Sequence, residues 1–333
     1  MKITTTLLSC GVTFMFSNNI QAANRNWLES WLSLVGSPYA HILSSVEESD
    51  SSSTSEDENG DHEQFDTVSV SLTIQTAQTE RLLKDLYTEI RQRMDIAIIG
   101  MSGGADSTLV AALCAEALGP ENVISVHMPY SDTDHRHFNA RSLRTAKHLK
   151  IQTHFLPIKK AVQGIEDSLS RLFTLSQVNS GNLRARVRTN ILYSMSHHIS
   201  DSHHQRARVV GTGNLSEDYI GYDTKGGDSL ADFFPLGELF KSEVYSLLDF
   251  FVNKGILKSN MIDRTPSAGL WEGQTDEDEL GWTYSEMEPA IRRQLRGEFT
   301  QKSVDIFVRQ RHEAHKHKHE APQVFHARKY YDQ

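Results

Sequence analysis

The run IAIIGMSGGADS at residues 96–107, followed directly by TLVAALCAEAL, constrains the fold more than any other stretch of the chain. Its apolar start at 96–99 predicts a buried parallel strand, and the segment after the glycines predicts a helix that stops at Gly119 and Pro120. Between strand and helix lies a turn, Gly100, Met101, Ser102, Gly103, Gly104, Ala105, Asp106 and Ser107. Its glycines let the backbone approach an anion closely, and the helix behind presents unpaired N–H groups and the positive end of its dipole. Ser102 and Ser107 add hydroxyl donors. The lysine of GxxxxGK[ST] is missing, so the loop is not a clamp built around β/γ-phosphates. Asp106 is the informative residue, because a carboxylate aimed at a polyphosphate requires a divalent cation between the two.

The composition sets bounds on everything else. The 333 residues, 38% hydrophobic and 23% charged, suffice for one large α/β domain or two small ones. A formal charge of −9 argues against broad nucleic-acid binding. The cysteines are Cys10 and Cys114, the second inside the predicted helix, so no disulfide framework is expected. Residues 1–23 have a basic start, a modest apolar stretch and small residues at the end; they read either as a signal-like leader or as an ordinary extension, and are too short and interrupted to span a bilayer. Residues 24–75 form an extension containing an amphipathic patch around Trp27 and Trp31 and an acidic, serine-rich linker at 47–66 that lacks the apolar content for a core.

From about Thr76 the apolar spacing turns helical. Strands then follow at 96–99, 122–128, 151–156 and 208–211, with helices at 108–118, 138–149, 165–175 and 183–199. Such alternation predicts a doubly wound parallel sheet with helices on both faces, a Rossmann-like α/β fold whose ligands sit at the carboxyl ends of the strands. His127 and Tyr130 leave the second strand at that edge, where they either contact a nucleotide or serve the structure. In GNLRARVR, helical spacing puts Arg184 and Arg188 on one face and Arg186 on another, to hold a carboxylate or phosphate or simply to face solvent.

The densest cluster is VVGTGNLSEDYIGYDTKGGDSLADFFPLGELFK at 209–241. Thr212 follows a strand end, and Glu217 can serve with Asp106 as a hard oxygen ligand for Mg2+. Lys225, Asp228 and Asp232 lie in a glycine-rich loop suited to binding substrate. Lys241 opens the next helix, where a cation opposes the dipole, so a ligand phosphate explains it better than helix stability does.

SGGADS resembles the SGGxDS signature of the ATP pyrophosphatases, which split ATP between the α and β phosphates. Four blocks in one order, SGGADS, GNLRARVR, the 209–241 run and PSAGLWEGQTDEDELGWTY, make residues 76–333 similar to the ammonia-dependent NAD synthetases. The resemblance implies an adenine nucleotide alpha hydrolase-like fold. It implies that the 100–107 loop with Thr212, Lys241 and Ser267 contacts ATP, that Asp106 and Glu217 hold Mg2+, and that Arg186, Lys225 and Asp232 bind deamido-NAD. It also implies a homodimer and a His-Lys pair that touches the dinucleotide. His315-Lys316 and His317-Lys318 both qualify, and spacing to Pro322 favours the second; alternation with lysine speaks against a metal on these histidines. The substrate loop carries Gly227 and Ser229 where the family commonly has a tyrosine and a glycine, which leaves the role of Asp228 open. The block 276–279 reads as part of a lid or dimer segment with its acids mostly solvated.

The activity so implied is ATP-dependent amidation of deamido-NAD with ammonia through an adenylated intermediate, with neither nucleic acid nor membrane as partner. The need for ATP points to the cytoplasm, while the leader leaves export open. Two alternatives stand beside it: another adenylating ligase or thiolase, and an exported nucleotide-binding protein without turnover.

Overall fold

The computed structural model describes residues 76–130, 134–262 and 275–330. The leader, the amphipathic patch, the acidic linker, Ser267 and Trp271 lie outside them. Strand β1 (Ile96–Gly100) is central, in a four-stranded sheet of order β3-β2-β1-β4 with β2 at Val123–His127, β3 at Gln152–Phe155 and β4 at Ala207–Val210. Every pairing is parallel, with Ile99 opposite Ser125 on one side and Val210 on the other. The chain steps outward from β1 to β2 and β3, then returns to place β4 on the opposite flank. The order therefore reverses between β1 and β4, the position where doubly wound sheets open a ligand crevice.

Alternation along β1 explains why both faces are covered. Ala97 and Ile99 enter an apolar cluster with helices α1 (Thr76–Arg93) and α2 (Ala105–Leu118), whereas Ile96 and Ile98 enter a second cluster on the other face. Helices α3 (Asp134–Leu149), α4 (Lys159–Leu169) and α5 (Gln177–His203) complete the crossovers. Helix α5 starts where Ser176 accepts the Asn179 N–H at 3.2 Å and contributes Val187 and Leu192 to the second cluster. Ile98 and Ile99 are fully buried, so truncating either to alanine should cost about 2–5 kcal/mol.

Short α6 (Leu215–Tyr219) and α7 (Lys241–Asn253) follow β4, and α8 (Asp276–Leu280), α9 (Tyr284–Leu295) and α10 (Ser303–His315) build a C-terminal helical layer. Ile220, Phe240, Leu280, Tyr284, Met287, Ile291 and Val308 form its core. Thr283 and Glu286 close a capping box at the start of α9.

The strands fall within a residue or two of their sequence expectation, whereas α2 starts three residues early inside the glycine loop, α3 starts four early, α5 runs six and four residues past its expected ends, and the fourth helix is displaced. It spans Lys159–Leu169 rather than 165–175, because Ile158 and Val162 are the residues that reach the sheet, while Leu172 and Phe173 are exposed. The expectation for the 276–279 acids also needs correction at one position. Asp276 is buried and accepts the Tyr284 hydroxyl at 3.0 Å, although its three neighbours remain exposed.

Candidate active site

The loop after β1 is held by its own hydroxyls. Ser107 Oγ accepts the Gly103 N–H at 3.3 Å and lies 3.0 Å from Ser102 Oγ, which accepts the Gly104 N–H at 3.2 Å. Gly103 has φ of +92°, a conformation in which a side chain would be strained, so glycine is required there. No side chain caps the start of α2 at Gly104, which leaves the end of the helix dipole facing the crevice. Met101 N–H donates to Val126 O at 3.0 Å and anchors the loop to β2.

Asp106, in the first turn of α2, meets Glu217 from α6 and Lys241 from the start of α7. Lys241 Nζ lies 2.6 Å from Asp106 Oδ2 and 2.9 Å from Glu217 Oε1, with the lysine side chain only 4% exposed. The two acids are 111 positions apart in the chain, and both strand ends that carry them, those of β1 and β4, are neighbours in the sheet. The lysine's place at a helix start is thus explained directly by two carboxylates, a counter-charge stronger than the dipole it opposes. Burial pushes Glu217 up to about 8, with Asp106 and Asp276 adding to the rise and Lys241 opposing it. The rise shows that the pocket holds a second negative charge only at a cost, which a divalent cation held by Asp106 and Glu217 together with phosphate oxygens would remove.

Asn214 is a member of this group that sequence reasoning missed. Its Nδ2 donates to Asp106 Oδ1 at 3.0 Å and its Oδ1 accepts the Glu217 main-chain N–H at 3.1 Å, so one amide orients the Asp106 carboxylate and caps the helix that carries Glu217. The GTGN run ahead of SE was the available signal, an asparagine at an N-cap position. Glu288 was missed as well. Its buried carboxylate accepts from Ser216 Oγ at 2.9 Å, Ser242 N–H at 3.0 Å and Ser242 Oγ, and it ties α9 to the helices that carry Glu217 and Lys241. No motif at 288 announces it.

Thr212 sits two residues past the end of β4, at the same edge as the glycine loop. Arg184 stacks over the Tyr130 ring at 3.6 Å and Arg188 donates to Met128 O at 3.0 Å, while Arg186 turns away to Lys225 O at 3.1 Å. Lys225 Nζ in turn donates to His317 O. Asp232 is fixed separately, its Oδ2 accepting the Val209 N–H at 2.8 Å where residues 232–233 run along the outer edge of β4. Asp228 Oδ1 accepts the Thr224 N–H at 2.8 Å and closes the loop's turn. His127 is buried against Ser142 Oγ at 2.7 Å, a structural role.

The tail distinguishes its two His-Lys pairs. Lys316 pairs with Glu313 at 2.6 Å on the surface, whereas Lys318 Nζ reaches Gly221 O at 2.7 Å and Asp223 O at 2.6 Å. Among the described residues, no helix is long and apolar enough to cross a membrane.

Comparison with known proteins bears on the family and the fold. The NAD synthase family model matches residues 77–322. An NH(3)-dependent NAD(+) synthetase of Methanococcoides burtonii is 39% identical over 202 residues, 61% of this chain and 73% of that protein. One from Methanosarcina acetivorans is 35% identical over 240 residues, 69% of this chain and 90% of its own. Among solved structures, the NMN synthetase of Francisella tularensis superposes with a TM-score of 0.61 at 30% identity, covering 74% of this chain and 97% of that one. The NH3-dependent NAD synthetase of Campylobacter jejuni gives 0.55 at 26%, covering 74% and 96%. With a glycine cradle, two acids and a lysine converging where the strand order reverses, and with these relatives along most of its length, the chain belongs to the NAD synthase family.

Proposed function

We propose that the chain joins ammonia to the nicotinate carboxylate of deamido-NAD at the expense of ATP, yielding NAD, AMP and pyrophosphate. The observation that carries this reading is the convergence of Asp106, Glu217 and Lys241 beside an uncapped helix start. The glycine loop and Thr212 hold the triphosphate, with Ser267 assigned to the same nucleotide. A Mg2+ ion held by Asp106 and Glu217 would screen charge on the phosphates.

The nicotinate carboxylate attacks the α-phosphorus, and pyrophosphate leaves with the bridging electron pair. Lys241 and the loop N–H groups stabilise the charge that develops on it. Ammonia then attacks the acyl carbon and AMP departs, so no side chain forms a bond to substrate and the gain comes from alignment and charge placement. Arg186, Lys225, Asp232, His317 and Lys318 are assigned to the dinucleotide side. The requirement for ATP places the reaction in the cytoplasm, and we assign a homodimer, which light scattering would test.

One comparison favours a second reading of the acceptor. The Francisella relative is an NMN synthetase, so nicotinate mononucleotide is the rival substrate. Purified protein should be assayed with each acid, ATP, Mg2+ and either ammonium or glutamine. Amidation of deamido-NAD with ammonium, one AMP per NAD, is the expected result. Faster turnover of the mononucleotide would replace the acceptor, and release of ADP with orthophosphate would overturn the mechanism.

A further inference from the structure

Asp223 entered the sequence reading with no role, yet more of the tail converges on it than on any residue of the substrate loop. Its side chain is 5% exposed, with Oδ2 3.0 Å from His319 Nε2 and Oδ1 3.3 Å from Lys318 Nζ. The Lys318 ammonium also donates to the main-chain oxygens of Gly221 and Asp223, at 2.7 and 2.6 Å. These acceptors all lie within residues 221–223, the two main-chain oxygens hydrogen-bonded to the ammonium and the carboxylate facing it as an ion pair.

The rest of the contact has the same character. Gly221, at φ +62°, leaves space that the His315 side chain fills, so any side chain there would collide with the tail. Arg311 Nε donates to Ile220 O at 3.2 Å, and a ring nitrogen of His312 lies 2.9 Å from Tyr219 O. Lys225, at the far end of the loop, is exposed, and its carbonyl receives Arg186. Asp218, Asp223 and His319 bring their ligand atoms within 4.8 Å of one another, a spacing suited to a cation. The cation placed there by the chain itself is Lys318. Burial alone would raise Asp223, but His319 and Lys318 hold it below the usual carboxylate range, and Asp223 in turn raises His319.

We infer that Asp223 is a positioning residue for the amidation: with Lys318 and His319 it rivets the C-terminal tail to the substrate loop and so fixes Lys225 and Arg186. This rests on the deamido-NAD reading above. Replacing the carboxylate by an amide removes the charge that Lys318 and His319 face and leaves the shape of the side chain intact.

The test is a double-mutant cycle on the full chain, with Asp223→Asn, Lys318→Met and both together. Each single variant should raise KM for deamido-NAD about 10-fold and leave KM for ATP within about 2-fold, a split that a general loss of folding would not give. The double variant should be no worse than the weaker single, because both break one clasp. Effects that multiply would mean that Asp223 and Lys318 act separately and would overturn the proposal, as would an unchanged KM in Asp223→Asn. Hydrogen exchange of the substrate-free protein supplies an arm that does not need turnover. Amides of 221–225 and 316–320 should exchange at least 10-fold faster in Asp223→Asn, and equal protection in both proteins would refute the clasp. If the wild type fails to amidate deamido-NAD while that exchange difference persists, the acceptor assignment is at fault and the clasp stands.

Discussion

The pocket around Lys241 and the clasp around Lys318 each bind a lysine ammonium between acceptors from separate parts of the chain, but they are built differently. Lys241 is met by side-chain carboxylates alone, 2.6 and 2.9 Å away, on helices packed against a fully buried strand. Lys318 is met mainly by backbone oxygens of a loop, with one carboxylate further off at 3.3 Å. Two carboxyl groups share one ammonium, so the second ionises readily only when a further cation arrives, and the first site is suited to chemistry. Backbone carbonyls carry no net charge and satisfy the ammonium, so the second is suited to holding chain against chain.

The largest effect should come from breaking the first site. Asp106→Asn and Lys241→Met are each expected to lower the rate of AMP formation by on the order of 10²–10³, the usual cost of one preorganised charge partner in the transition state. Folding should be retained, so circular dichroism would match wild type while AMP release in a coupled assay collapses. Loss of less than 10-fold in both variants would mean that the pocket is only a buried ion pair.

Next in size is the support beneath that pocket. Glu288→Ala strands the Ser216 and Ser242 donors in a buried place and unties α9 from the starts of α6 and α7. A stability loss of about 3 kcal/mol in urea titration is expected. Glu288→Gln, which keeps an acceptor, should recover part of it. Equal losses for both variants would assign the effect to charge rather than to hydrogen bonding.

A third effect, comparable in size but confined to acid pH, separates the sheet from the site. Burial lowers the His127 imidazole from 6.5 to about 4, so the folded state binds its proton later than the unfolded chain does as pH falls. Stability is therefore fully present above 6.5 and falls as pH drops toward 4, by about 3 kcal/mol at 1.36 kcal/mol per unit. His127→Gln should flatten that part of the stability profile without changing KM for ATP. A profile of unchanged slope would show that other groups set the acid limit.

How much of this was legible in the sequence follows the same division. The first site was readable because its parts lie in short motifs where the residue type and the local element agree: glycines after an apolar run, Asp106 in the first turn of the next helix, Glu217 just past a strand end. Parallel order then brings those strand ends together without further information. Asn214 was missed although its position before α6 is an ordinary capping place, because capping and acid orientation are not separable in one dimension. Glu288 and Asp223 were not readable, since each acts on residues far away in the chain and neither sits in a pattern of its own. The fourth helix was shifted because 165–175 carries its own apolar residues, yet the sheet accepts Ile158 and Val162 instead.

The smallest effect tests the tail at its finest resolution, by comparing two lysines two residues apart. Lys316 pairs with Glu313 at 2.6 Å, both side chains about half exposed, and an ion pair of that kind contributes about 0.5 kcal/mol or less after screening and lost side-chain freedom. Lys318 is 17% exposed and reaches backbone oxygens that no mobile ion readily replaces. Lys316→Ala should therefore leave KM for deamido-NAD, KM for ATP and the urea midpoint within error of wild type, at low and at high salt. The clasp requires this silence, because a lysine pointing to solvent cannot fasten the tail. A KM increase in Lys316→Ala comparable to that of Lys318→Met would mean that the tail acts through its summed positive charge, and raising the ionic strength would then shrink both effects together.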